Sequence, residues 1–117
     1  MYKRQAIGPY SQAKITGGLM FASGQIPVNP ASGKIEAADI EGQTEQVCKN
    51  IQALLEAAGS SMDKVVKTVC FLADIADFAA FNKVYEKFFT SCPARSCVAV
   101  KDIPKGALCE IECIAEV

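Results

Sequence analysis

Between Val65 and Ala73 the chain reads Val-Val-Lys-Thr-Val-Cys-Phe-Leu-Ala, and this stretch restricts the fold more than any other. Its β-branched residues favour an extended strand. Apart from Lys67 it is apolar on both faces, so its sheet needs cover on both sides. Cys97 to Val100 has the same character. A chain of 117 residues has room for one domain, spanning 1–117. Its periodicity yields two helices, enough for one face of a sheet. At this length a second copy of the chain is the economical cover for the other face, so a homo-oligomer is expected.

The remaining elements read as follows. Ala13 to Thr16 and Leu19 to Ser23 flank Gly17-Gly18, a pair suited to a tight hairpin turn. Pro27 to Lys34 is irregular and holds the breakers Asn29-Pro30 and Ser32-Gly33. Ile40, Thr44, Val47, Cys48, Ile51, Leu54, Leu55 and Ala58 recur on one helical face, with Asp39 as N-cap and Gly59 just past the end. A second helix carries the apolar stripe Phe78, Phe81, Val84, Tyr85, Phe88 and Phe89, with Asn82, Lys83, Glu86 and Lys87 off it. Ser96 to Val100 and Ala107 to Val117 flank Lys101 to Gly106 and read as a closing hairpin. On its last strand Cys109, Ile111, Cys113, Ala115 and Val117 share one face, and Leu108, Glu110, Glu112, Ile114 and Glu116 the other. Short strands with two helices make an α+β domain.

Composition removes whole classes of chemistry. The chain has no His, so it holds no Ser-His-Asp triad, Cys-His dyad or His-ligated metal. Twelve basic and thirteen acidic residues give a net charge of −1, which argues against a nucleic-acid binder. No G-x-G-x-x-G or P-loop supports a nucleotide cofactor. Met1 to Tyr10 lacks the apolar core of a signal peptide, and no apolar run reaches membrane-spanning length. A cytoplasmic setting is therefore expected. There the six Cys, at 48, 70, 92, 97, 109 and 113, act mostly as small hydrophobes. No C-x-x-C pair is present. Cys109 and Cys113 on one strand lie ~13 Å apart, too far for a disulfide.

Few residues remain to carry chemistry. Arg95, in Pro93-Ala94-Arg95-Ser96-Cys97, opens an apolar strand, and its planar fork suits a carboxylate or phosphate. The alternative is a salt bridge at the rim. Glu110 and Glu112 stand ~7 Å apart on one strand face. They fit paired carboxylate work or a solvated face, and Glu116 on that same face favours the latter. Cys97 points the same way as Arg95, either as an activated thiol or, lacking a His base, as packing. Tyr10, in a turn-like entry segment, can lid a pocket or pack. Ser23-Gly24 ends a strand, and a Gly there admits a close ligand or a bulge.

Taken in order, Ala6-Ile7-Gly8-Pro9-Tyr10-Ser11-Gln12-Ala13, Ser23-Gly24-Gln25-Ile26-Pro27, Pro93-Ala94-Arg95-Ser96-Cys97-Val98 and Glu110-Ile111-Glu112-Cys113-Ile114-Ala115 resemble the signatures of the Rid family, also called YjgF. The resemblance spans nearly the whole chain. It implies an α+β fold like chorismate mutase, with a mixed six-stranded sheet, two helices on one face, and a homotrimer with clefts between subunits. The implied activity is cofactor-free hydrolysis of small imino acids, 2-iminopropanoate and 2-iminobutanoate, to 2-oxo acids and ammonia. On that resemblance Arg95 clamps the substrate carboxylate and Glu110 handles the attacking water. Tyr10, Ser23, Gly24, Asn82 and Cys97 line the cleft. Some members of the family carry ribonuclease or translation-inhibitor names, and a non-catalytic carboxylate-binding or chaperone-like trimer is a further reading. Thr90-Ser91-Cys92, before the Pro93 motif, is shorter than in many members.

Overall fold

The computed structural model describes Gly8 and residues 10–117. Strands β1 (Ala13–Thr16) and β2 (Leu19–Gln25) are joined by Gly17 and Gly18, whose φ angles of 59° and 77° are the left-handed values a two-residue hairpin turn requires. β3 (Val28–Asn29) and β4 (Lys34–Ile35) form a small antiparallel ribbon inside the segment expected to be irregular. Helix α1 (Ile40–Ala57) begins at Asp39, whose side chain accepts from the Gly42 N–H at 2.8 Å. Gly59, at φ 80°, follows its end. Then come β5 (Val65–Leu72), α2 (Phe78–Phe88), β6 (Ala94–Ala99) and β7 (Cys109–Glu116).

The main sheet has the order β1-β2-β7-β5-β6. It is mixed, because β5 and β6 run parallel while the other pairs are antiparallel. Five strands are thus described in this sheet, and the expected hairpin between β6 and β7 does not form. β5 lies between them instead. The apolar β5 gains a partner on each side by taking that central slot, which leaves the connection through Pro104 and Gly106 to cross over rather than turn back.

Both helices pack on one face. Val47, Cys48, Ile51, Leu54 and Leu55 of α1 and Phe81, Tyr85 and Phe89 at α2 form one core with Met20, Cys70, Leu72, Ile111 and Ala115 of the sheet. Four thiols sit in this core or on its edge as expected of small hydrophobes: Cys48, Cys70, Cys109 and Cys113 are buried. Burial pushes Cys70, Cys109 and Cys113 up to about 12, so they stay protonated and inert. All six Cys are free. The other face of the sheet presents Phe21, Val69, Phe71, Val98 and Ile114, all partly or well exposed. Among the described residues no helix is long and apolar enough to cross a membrane.

Candidate functional site

Arg95 lies on the edge strand β6, directly across from Thr68 of β5. Its side chain turns to the helix face. There α2 offers Phe78, Asn82 and Tyr85, spaced four and then three residues apart, which places them in one row along the helix. Arg95 Nη1 donates to Asn82 Oδ1 at 2.7 Å. The guanidinium carbon is 4.8 Å from the Tyr85 ring centroid and 5.5 Å from that of Phe78. Arg95 makes no ion pair among the described residues, so the rim salt bridge is not what holds it. Its charge is matched by an amide oxygen and two ring faces, which hold a guanidinium without neutralising it. A cavity of about 610 Å³ opens beside it, lined by Tyr85, Glu86, Phe89, Cys92 and Pro93 among others. A guanidinium without an ion-pair partner among the described residues, at an open cavity, has the chemistry to bind a carboxylate or phosphate.

Cys97 points to the same face, across from Cys70, and packs against the core. Burial pushes its thiol up and outweighs the opposing pull of Arg95, so it is not an activated nucleophile. Phe78 departs from the expected buried stripe: it is 38% exposed, and its ring serves Arg95 rather than the core. Asn82, off that stripe, is the residue that meets Arg95.

Glu110 stands elsewhere. On β7 it alternates with the buried Cys109 and Ile111, and so leaves the sheet on the face away from the helices. Its register partner on β5 is Phe71, and Phe71 in turn faces Val98 of β6. Gly24 packs against it: a Cβ built there collides with the Glu110 carboxylate. The register between β2 and β7 shifts between Ala22 and Gln25, and within this irregularity Gly24 lies against Glu110. Burial first, and then the neighbouring charge of Glu112, raise the Glu110 pKa above its ordinary value. Such a carboxylate accepts a proton more readily than a solvated one. Ser23 Oγ donates to the Ser11 carbonyl at 2.6 Å, which ties the entry segment carrying the exposed Tyr10 to this side.

The residues singled out by sequence therefore fall into two groups. Arg95, Asn82 and Cys97 gather at the α2 side of β6, while Gly24 and Glu110 meet on the open face; Ser23, next to Gly24 in the chain, bonds to Ser11 of the segment that carries Tyr10. Phe78, Tyr85 and Thr68 were not among the expected site residues. The four-three spacing of Phe78, Asn82 and Tyr85 was the available signal for the first two, but it also fits a core stripe.

Comparison with known proteins decides the family. The family model described as Endoribonuclease L-PSP matches residues 1–117. The chain belongs to this family. It is the Rid, or YjgF, family whose motifs the sequence carries. Among similar relatives, the Lactococcus lactis protein AldR, named as a regulator, is 58% identical over 113 residues, spanning 96% of this chain and 90% of that protein. The Escherichia coli protein named 2-iminobutanoate/2-iminopropanoate deaminase is 47% identical over 114 residues, spanning 94% of this chain and 88% of that one. The crystal structure of Escherichia coli TdcF with bound serine superposes with a TM-score of 0.92 at 42% identity, covering 99% of this chain and 94% of that one.

Proposed function

We propose that this Rid-family chain hydrolyses small imino acids to 2-oxo acids and ammonia, as a homotrimer whose clefts lie between copies. The observation that carries the reading is Arg95, seated on an amide and two rings with no ion-pair partner among the described residues, beside an open cavity. A relative named as an imino acid deaminase and a close structural match holding serine, itself a small carboxylate, support it.

In this reading two N–H groups of Arg95 grip the substrate carboxylate and fix the adjacent C2. Glu110 takes a proton from water as its oxygen adds to C2 and passes it to the imine nitrogen, giving a tetrahedral carbinolamine. It then takes the carbinolamine hydroxyl proton and delivers it to the amino nitrogen as the C–N bond breaks, so ammonia leaves and C2 keeps the new carbonyl of the 2-oxo acid. The substrate is already electrophilic, and positioning with one proton relay suffices. The chain's own residues account for each step, with no cofactor invoked. Arg95 and Glu110 leave the sheet on opposite faces, so one copy does not close them on one substrate, whereas a cleft between two copies does. The exposed Phe21, Val98 and their neighbours are the apolar surface such an assembly buries.

The test couples the protein to a serine or threonine dehydratase that generates the imine, with semicarbazide trapping what survives. Wild type is expected to speed 2-oxo acid formation and suppress trapping. Arg95→Ala is expected to lose suppression by about 10²-fold or more, the scale of a lost charged clamp. A folded, assembled wild type that leaves trapping unchanged overturns the activity. The regulator name of AldR favours one other reading, a carboxylate sensor. A sensor needs Arg95 but not Glu110, so Glu110→Gln separates the two.

A further inference from the structure

Beneath the Arg95 site lies a pair of hydroxyls that packing alone does not require. Thr68 is fully buried on β5, directly across from Arg95. Its Oγ1 shares a hydrogen bond of 2.7 Å with the Tyr85 hydroxyl. Burial pushes the Tyr85 hydroxyl up to about 12, so it keeps its proton at neutral pH and the bond stays made. For stability, replacing both partners of such a neutral pair with apolar groups of the same shape is close to neutral. The bond's consequence is orientational. The Tyr85 ring is stacked on Phe89, with centroids 4.4 Å apart and planes 24° from parallel. The guanidinium of Arg95 lies 4.8 Å from the centroid of that same ring. Ring stacking and the hydroxyl bond together fix Tyr85 at two points, and so fix the surface on which Arg95 rests.

Resting on the function proposed above, we infer that Tyr85, locked by Thr68, is a positioning residue that sets the plane of the Arg95 guanidinium for a two-pronged grip on the substrate carboxylate. Asn82 holds one nitrogen, Nη1, and Tyr85 with Phe78 settles the tilt of the plane. The remaining N–H groups are then aimed before substrate arrives, which removes an ordering cost from binding. Neither Thr68 nor Tyr85 needs to touch substrate for this.

The experiment compares wild type with Thr68→Val/Tyr85→Phe, which removes both hydroxyls together and keeps the ring; the Cys70 thiol, which also donates to Thr68 Oγ1 at 3.9 Å, loses only that long contact. Binding of 2-oxobutanoate is measured by calorimetry. The Arg95 side-chain Nε–H signal, assigned by its loss in Arg95→Lys, is followed by NMR, and the melting temperature is recorded. The double variant is expected to melt near wild type, bind 2-oxobutanoate about fivefold more weakly, and show a displaced Arg95 signal. Placed in an Arg95→Lys background, the same two changes are expected to have no further effect on binding, because the fork they orient is gone. Wild-type affinity in the double variant overturns the inference. So does weaker binding with an unmoved Arg95 signal, or an equal loss in the Arg95→Lys background. A wild type that binds no 2-oxo acid fails at an earlier step: it overturns the carboxylate site itself, and the positioning role with it.

Discussion

The two faces of the sheet are built from alternate residues of the same strands, yet they meet opposite fates. On the helix face, Cys70, Ile111 and Cys109 are fully buried, and α1 and α2 complete the core within one chain. On the other face, Phe21 is 42% and Val98 47% exposed, with Phe71, Val69 and Ile114 between them. The difference teaches where each half of the proposed site stands. Arg95 emerges on the finished face and is held by α2, so its geometry is set inside one copy. Glu110 emerges on the unfinished face, where its surroundings inside one copy are Gly24, Phe71 and the charge of Glu112.

The sharpest way to break this contrast is Ile111→Ala. Ile111 is fully buried between the sheet and the helices, and truncating it is expected to cost about 2–5 kcal/mol in urea unfolding at fixed protomer concentration. A loss below about 1 kcal/mol would mean that the helix face is not the chain's main source of stability.

On the open face Phe21→Glu is expected to act on assembly rather than on the fold. Phe21 pairs with Lys14 on one side and Ile114 on the other, and an acid beside Lys14 is tolerable in a single copy. Buried against another copy, the same charge is costly. Sedimentation velocity is expected to report a folded species of one-chain mass, with unchanged circular dichroism. An intact oligomer would remove this face from the interface.

The smallest change in stability, and the one that tests the chemistry, is Glu110→Gln. Turnover is expected to fall about 10²-fold while 2-oxobutanoate binding stays within about threefold, since only proton handling is lost. The stability effect has the opposite sign. Glu110 has a raised pKa in the fold, so its charged form is disfavoured there relative to the unfolded chain. That penalty is absent below the unfolded pKa, grows as pH rises toward the folded one, and is complete above it. Glu110→Gln is therefore expected to melt slightly above wild type at pH 7, with the gain fading on acidification. A gain that persists unchanged well below the ordinary carboxylate pKa would assign it to packing instead.

Much of the fold was legible locally. Gly17-Gly18 supplies its own left-handed turn, Asp39 caps the helix it precedes, and the apolar spacing from Ile40 to Ala58 leaves α1 one face to bury. The pairing of β6 with β5 rather than with β7 was not legible. Both neighbours of the 101–106 loop have apolar residues able to pair, and the choice depends on β5, almost thirty residues earlier, taking the slot between them. The site divides in the same way. The residue types in the Pro-Ala-Arg-Ser and Glu-Ile-Glu motifs name a cation and an acid. Their motifs do not state that the two leave the sheet on opposite faces.

By itself, then, the amino-acid sequence determined the two helices and the main strands, the oily character of both sheet faces and the absence of imidazole chemistry. These follow from residue type and short-range spacing, where each residue's neighbours are fixed by the helix or strand repeat. Tertiary structure decided the strand order, the two rings and the amide that hold Arg95, the hydroxyl pair behind them, and the Gly24 seat of Glu110. Those depend on residues far apart in the chain meeting through packing, and the local repeats carry no record of which distant partner each will find.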